Sequence, residues 1–554
     1  MTKLNGIGAL ILVSICAALI AKYLYPVMTP VLNQDSYQYI SVADNALNGK
    51  VGYTSIVHFD TERSLEKMPA PLVTFPAGYP LAMALVSLIG VSTQMAGLVV
   101  SVVATLACLP LLVWIGARIG FSRPLNYVLA TLFATNATVV FMGASVMTEA
   151  LFTLLILAGV ACLVEAKIRG PQGSAWYWVL MGLSFAVAYL TRYAGMFFII
   201  GLVALVVYYA VTTNRTMVKG IFIALLISGG TVLAGAARNI YLVGNWRGGN
   251  DKVVSNPFLQ TVVKAIKGMN ALILGPGSVS EGGTTVPRLI CVLLFIGGIA
   301  FLSIRHLRRS TAEIRVETPA RSTSIGPEMA ILSSVYMVCL FYAGLKSVID
   351  YGDPRYFLPM APPLLLLVGG GIRRWSAAPP RQHDIVMRTA GLTLLSAAVV
   401  LCIGLNLLAL RFPKEVAASA LESDFVASKV GEAQFSAKIR DLLGPDGVAV
   451  SNNGQPVAHL IARPTISLVG PAYSNVEWTE RATRNIAIQY RARAIVIYIP
   501  EAWQWNDGDY IPSTFIRQLA EVQPPNWMKL EFRSKRLLVY TPSAPDGSGW
   551  AADK

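Results

Sequence analysis

The sequence predicts a polytopic α-helical membrane protein carrying a small soluble α/β domain at its C-terminal end. Three observations predict it. The 554 residues are 54% hydrophobic and only 14% charged, whereas soluble domains carry about a quarter charged residues. Apolar runs long enough to span a bilayer recur along the first 411 residues. After about residue 412 charges become frequent and balanced, and β-rich runs alternate with helical ones.

The apolar runs lie at roughly 6–25, 93–116, 124–142, 147–166, 176–192, 194–211, 218–240, 287–304, 328–347, 356–373 and 388–411, which makes about 11 transmembrane helices. The first follows a single lysine, Lys3, and is longer than the core of a cleavable signal, so it reads as a retained signal-anchor. Alternate gaps are basic. They hold Arg118 and Arg123; Lys167 and Arg169; Arg215 and Lys219; Arg305, Arg308, Arg309, Arg315 and Arg321; and Arg373, Arg374, Arg381 and Arg388. Basic gaps stay cytoplasmic. The N-terminus is therefore expected inside, and residues 412–554 outside. The formal charge of +15 is distributed over these gaps rather than over one face, which excludes a nucleic-acid binder.

The remaining gaps fall on the extracytoplasmic side. They are two long loops, about 26–92 and 241–286, and the short turns Gly143–Val146, Thr191–Tyr193 and Ser347–Arg355. Loops this long are usually functional. Beyond residue 412, β-rich runs at Gly447–Ser451, Ala494–Ile499 and Leu537–Thr541 enclose helical stretches near Thr479–Tyr490 and Pro512–Val522. All six cysteines lie in apolar runs, without a CxxC pair, and the four histidines are far apart. Neither a disulfide framework nor a structural zinc site is expected.

The stretch Asn33–Tyr53 is expected to hold the chemistry. Tyr39, Ala43, Ala46 and Leu47 recur at helical spacing, so a short amphipathic helix begins at or near Asp35. Asp35 would either cap that helix or act as a base. Other charges gather at the outer helix ends: Glu149, Arg192, Arg238 with Asn239, and Asp350, Asp353 and Arg355. One such charge can simply snorkel to the interface. Three arginines on the side that disfavours them instead point to a phosphate, which guanidinium forks bind bidentately.

These residues occur in ordered motifs: Asp-Ser-x-x-Tyr and Gly-x-x-Gly-Tyr (35–53), Phe-Pro-Ala-Gly-Tyr-Pro-Leu (75–81), Met-Thr-Glu-Ala-Leu-Phe (147–152), Leu-Thr-Arg-Tyr-Ala-Gly (190–195), Ala-Arg-Asn (237–239) and Pro-Arg-Tyr-Phe-Leu-Pro (354–359). Over roughly residues 1–375 the chain resembles the type C (GT-C) glycosyltransferases that use polyprenyl-phosphate sugars. It is most similar to the branch of protein mannosyltransferases and the lipid A aminoarabinose transferase.

The resemblance implies a GT-C-like catalytic module over 1–411 and an inverting transfer, with Asp35 as catalytic base. The polyprenyl-phosphate donor would be held by Arg192, Arg238 and Arg355. The family's Lys-Pro-Pro is Phe75-Pro76-Ala77 here, so Lys67 or the arginines take over the phosphate. Glu149, Asn239, Tyr356, Asp350 and Asp353 would support them, and Tyr37, Tyr39 and Tyr79 would line the sugar or lipid. His58, Asp60 and Glu62 are weak candidates for a divalent metal; no other cofactor is called for. The acceptor would be a lipid, glycan or protein, and the setting a bacterial inner (plasma) membrane with the active site outside. Two rivals remain: a flippase or transporter of lipid-linked sugars, and a ligase or polymerase of lipid-linked glycans. A transporter needs polar groups through the inner half too, whereas the spans here are nearly charge-free between their ends.

Overall fold

The computed structural model describes residues 3–24, 30–57, 67–170, 175–246, 248, 255–275, 290, 325–346, 352–377, 382–410, 429–468, 477–499, 511, 513–534 and 536–542. Asp350, His58, Asp60, Glu62 and the expected span 287–304 lie outside these residues, apart from Ile290.

Ten of the eleven apolar runs are helical. They correspond to α1 (Lys3–Leu24), α4 (Thr93–Arg118), α5 (Arg123–Ala134) with α6 (Ala137–Gly143), α7 (Glu149–Arg169), α8 (Ala175–Thr191), α9 (Gly195–Val211), α10 (Arg215–Val243), α12 (Gly326–Lys346), α13 (Ala361–Ala377) and α14 (Gln382–Ala409). Among the described residues, seven spans are long and apolar enough to cross a membrane, or eight if the bent pair α5–α6 is one span. The described residues do not establish the expected count of 11, one of whose runs lies almost wholly outside them. Helices α8 and α9, at 17 residues each, are apolar but fall short of the length of the seven. The run 124–142 breaks by 59°. Asn136 causes the break: its Oδ1 accepts from Val139 N at 3.1 Å to start a new helix, and its Nδ2 donates to Leu272 O. Hydropathy does not register that one residue.

The two ends of the bundle are chemically distinct. α7 places Glu149 at one end and Glu165, Lys167 and Arg169 at the other, about 30 Å apart at 1.5 Å per residue. At the latter end Arg118 and Arg169 pair with Glu165, Lys167 and Tyr209 meet the buried Glu328, and Arg373 reaches Ile119 O. The described basic residues Arg118, Lys167, Arg169 and Arg373 thus lie at the end opposite Glu149.

The first loop contains α2 (Gln34–Leu47), α3 (Gly78–Ser87) and the short strands β1 (Tyr53–Thr54), β2 (Ile56–Val57) and β3 (Ala70–Pro71). The second long loop carries α11 (Phe258–Leu274), an amphipathic helix that its lysines concealed in the sequence.

In the C-terminal region β4 (Val448–Ser451), β6 (Ala492–Tyr498) and β8 (Leu537–Pro542) answer to the three β-rich runs. β5 (Thr465–Ser467) and β7 (Met528–Arg533) join them, with α15 (Lys429–Leu443), α16 (Gly454–Ile461), α17 (Glu480–Gln489) and α18 (Thr514–Ala520). The strand order is β2-β5-β4-β6-β8-β7, parallel from β2 to β6 and antiparallel beyond. The strands bury continuous apolar runs such as Ile495–Tyr498, as expected of a sheet covered on both faces. One of the six strands, β2, comes from the first loop of the membrane module.

Candidate active site

Four chain segments meet at the Glu149 end of the bundle. The first is α2, whose N-cap is Asn33, not Asp35. The backbone N–H of Asn33 donates to Ser36 Oγ at 2.9 Å. Asp35 is therefore released from the capping role that its position allowed, and its carboxylate faces Arg355.

The second segment is the Met-Thr-Glu start of α7. Glu149 is fully buried and pairs with Arg192 at 2.5 Å, the third segment, just past the end of α8. Arg192 Nη1 also donates to Thr148 Oγ1 at 3.0 Å. The fourth segment is a 3-10 turn, Pro354–Met360, ahead of α13. Asp353 caps it by accepting from Arg355 N at 2.9 Å.

Arg355 joins the set. Its Nη1 lies 3.4 Å from Asp35 Oδ2, its Nη2 donates to Tyr356 Oη at 3.0 Å, and its Nε is 3.0 Å from Asp353 Oδ2, an ion-pair contact without hydrogen-bond alignment. The guanidiniums of Arg192 and Arg355 both lie over the Tyr356 ring, 5.2 and 5.0 Å from its centroid. Such contacts favour a cation where water is partly excluded. Arg192 and Arg355 keep 18% and 19% exposure and Asp35 24%, so the cluster is reachable from outside.

Tyr39 reports the same grouping. Burial pushes its phenol well above the usual value, and the charges of Asp35, Arg192, Glu149 and Arg355 all act on it. Its ring packs edge-on against Phe75 and Tyr79. Asp353 is also raised, chiefly by burial, with Arg355 opposing.

The other expected site residues do different work. Arg238 was expected on the donor phosphate. Instead its Nη1 donates to Leu72 O at 2.9 Å and its Nη2 reaches Gly52 O at 3.4 Å, so it clamps the first loop. Asn239 continues the clamp by donating to Tyr193 Oη and Trp246 O, both at 3.3 Å, and Tyr193 donates to Val73 O at 3.2 Å. Gly52 has φ +77°, a conformation open to glycine at little cost. A Cβ there would come 3.2 Å from Arg238 Nη2.

Tyr79 does not line the cluster. It is fully buried and donates to Gly97 O at 3.0 Å, with Ser101 Oγ equally near. Tyr37 is buried against the His459 ring, 5.3 Å away. Lys67 is exposed and makes none of the cluster's contacts among the described residues. Among those residues no three His, Cys, Asp or Glu side chains are grouped to hold a metal. Tyr356, expected in support, lies under both guanidiniums, whereas Thr148, inside the Met-Thr-Glu motif, is a contact of Arg192 that the motif alone does not mark.

Chemically, the cluster pairs a partly exposed carboxylate with two guanidiniums fixed by aromatic and acidic partners. That arrangement can neutralise a phosphate and accept a proton beside it.

Comparisons with known proteins bear on the fold. The family model of dolichyl-phosphate-mannose-protein mannosyltransferases matches residues 67–244. Among solved structures the chain is similar to ArnT from Cupriavidus metallidurans in the apo state, with a TM-score of 0.52 at 14% identity over 96% of this chain and 97% of that one. The same protein bound to undecaprenyl phosphate gives 0.53 at 12% identity over 97% and 98%. The Archaeoglobus fulgidus oligosaccharyltransferase in the apo form gives 0.52 at 12% identity, over 98% of this chain and 75% of that one. No curated protein sequence matches. The chain has the GT-C fold, as its motifs implied. The family match covers Glu149, Arg192 and Arg238 and leaves Asp35 and Arg355 outside.

Proposed function

We propose that this chain is an integral-membrane glycosyltransferase that moves a sugar from a polyprenyl-phosphate donor to a hydroxyl-bearing acceptor. The observation that carries the reading is the cluster Asp35–Arg355–Tyr356–Arg192–Glu149 at one end of an apolar bundle. A phosphate near a bilayer surface belongs to a lipid-linked donor, and the structurally similar ArnT holds undecaprenyl phosphate.

In the reaction the acceptor oxygen bonds to the anomeric carbon as the bond from that carbon to the phosphate oxygen breaks. The hydroxyl proton passes to Asp35. The electron pair leaves with the polyprenyl phosphate, whose charge Arg192 and Arg355 neutralise, so no general acid is needed. Attack opposite the leaving phosphate inverts the anomeric centre. Glu149 and Thr148 hold Arg192 in place, and Asp353 with Tyr356 holds Arg355. Arg118, Lys167, Arg169 and Arg373 at the opposite end favour an extracytoplasmic site.

The test is direct. The full-length protein in lipid nanodiscs is incubated with polyprenyl-phosphate mannose, glucose, arabinose and aminoarabinose, together with an envelope extract as acceptor. Release of polyprenyl phosphate from one donor, lost in Asp35→Asn, is expected. No release from any donor, or equal release by Asp35→Asn, refutes the reading. Turnover only with a lipid-linked oligosaccharide would mark a ligase of the same fold.

A further inference from the structure

Asp35 sits on a helix gripped from two sides. On the bundle side, its neighbour Ser36 donates to Met147 Sδ at 3.5 Å. The chain just before it bridges to the bundle through Val31 N to Ala144 O, 3.1 Å, and Val146 N to Val31 O, 3.0 Å. On the other side, the next two residues point to the C-terminal domain. The Tyr37 ring packs on His459 of α16. Gln38 is buried and donates through Nε2 to Thr54 Oγ1 at 2.8 Å and to Ile56 O at 3.0 Å.

Ile56 belongs to β2, the strand that the first loop adds to the edge of the C-terminal sheet. Ile56 and Val57 pair in parallel with Thr465 and Ile466, and Thr465 N donates to Ser55 O at 2.9 Å. The stitching continues along α2. Ser55 N donates to Ser41 Oγ at 2.8 Å, and Asn45 Nδ2 donates to Ser55 Oγ at 3.0 Å. A strand contributed to a foreign sheet is held by main-chain hydrogen bonds. The catalytic helix and the C-terminal domain therefore share one hydrogen-bonded framework, and Asp35 lies at the seam between that framework and the bundle.

We propose that the C-terminal domain positions Asp35, with Gln38 and His459 as positioning residues that set the carboxylate against the donor through α2. This inference rests on the reading of Asp35 as the base. The physical ground is that a displacement near 1 Å in a reacting group can cost roughly 10²-fold in rate. A carboxylate with 24% exposure at the first turn of a 14-residue helix has no other support of comparable extent on that side among the described residues. The domain is then a working part of the active site rather than an appendage.

The experiment uses the full chain in nanodiscs and compares His459→Ala, His459→Phe and Gln38→Ala with wild type. Three quantities are read: hydrogen–deuterium exchange over residues 34–47, the dissociation constant for undecaprenyl phosphate, and turnover of whichever donor in the panel is used. The expected result is faster exchange over 34–47 in His459→Ala and Gln38→Ala, with β4 and β6 still protected. Turnover should fall by roughly 10²-fold while undecaprenyl phosphate affinity holds. His459→Phe, which keeps a ring against Tyr37, should restore turnover. Wild-type exchange over 34–47 in both Ala variants overturns the proposal. So does faster exchange spread equally over β4 and β6, which would mean general loosening of the domain. Should Asp35→Asn retain turnover, the assignment of the base fails, while the exchange measurement still reports on the docking of α2.

Discussion

Replacing Arg355 by lysine keeps the positive charge and removes the fork, which makes it the sharpest probe of the phosphate site. Arg355 uses three different nitrogens: Nη1 toward Asp35, Nη2 to Tyr356 Oη and Nε beside Asp353. A lysine offers one nitrogen and can serve one of these partners while also facing a phosphate. The variant should therefore lose at least one charge-assisted hydrogen bond to the donor, worth roughly 1.5–3 kcal/mol. At 1.4 kcal/mol per decade, that is a tenfold to about 150-fold rise in the dissociation constant. The assay is titration of the nanodisc-embedded protein with undecaprenyl phosphate. Arg238→Lys is the internal control, because Arg238 clamps Leu72 and Gly52 carbonyls and should change first-loop order instead. Wild-type affinity in Arg355→Lys would mean that the guanidinium is an interfacial anchor, and the phosphate site would lose its main support.

Asp35→Asn should reduce turnover by roughly 10²–10⁴, the usual scale for a general base, with the protein still inserted; single-turnover kinetics checks it. The same variant should bind undecaprenyl phosphate no more weakly than wild type, because it frees Arg355 from a competing carboxylate 3.4 Å away. Gly52→Ala should lower thermal stability by on the order of 1–2 kcal/mol, from the positive φ that a Cβ disfavours; thermal unfolding monitored by cysteine labelling measures it. A topology reporter fused after Leu410 should be active only outside the cytoplasm, and cytoplasmic activity would reverse the sidedness of the site.

Much of this architecture was legible because the bilayer imposes simple rules. Length and hydropathy located ten helical runs, and charge asymmetry sorted their ends. The break at Asn136 escaped because it depends on a side chain reaching Leu272 O, 136 residues away. The site was legible as an inventory of residue types and only partly as an arrangement. Asp35, Glu149, Arg192 and Arg355 are held together, as motif order on one face implied. Arg238 looked equivalent in sequence, since an arginine at a helix end carries no mark of whether a loop carbonyl or a ligand will take its donors. Tyr79 shows the opposite case: its hydroxyl finds Gly97 and Ser101 inside the fold. The strand β2 was hidden because two residues carry no periodicity at all.

The charges of the cluster bear on how its members hold one another. Two arginines face three carboxylates, Asp35, Glu149 and Asp353. Two guanidiniums over one ring would repel each other without acidic partners close by. Glu149, fully buried at 2.5 Å from Arg192, is the partner that cannot leave without stranding a buried charge. Asp35 is the one that can, being the most weakly held at 3.4 Å and partly in solvent, where an ion pair is worth about 1 kcal/mol or less. If the proposed donor binds here, its phosphate would therefore displace Asp35 from Arg355 more readily than Glu149 from Arg192. In the proposed reaction that exchange would give Arg355 to the donor and free Asp35 to serve as the base. On the proposed function the expected order is donor before acceptor, and an acceptor that binds equally well without undecaprenyl phosphate would refute it.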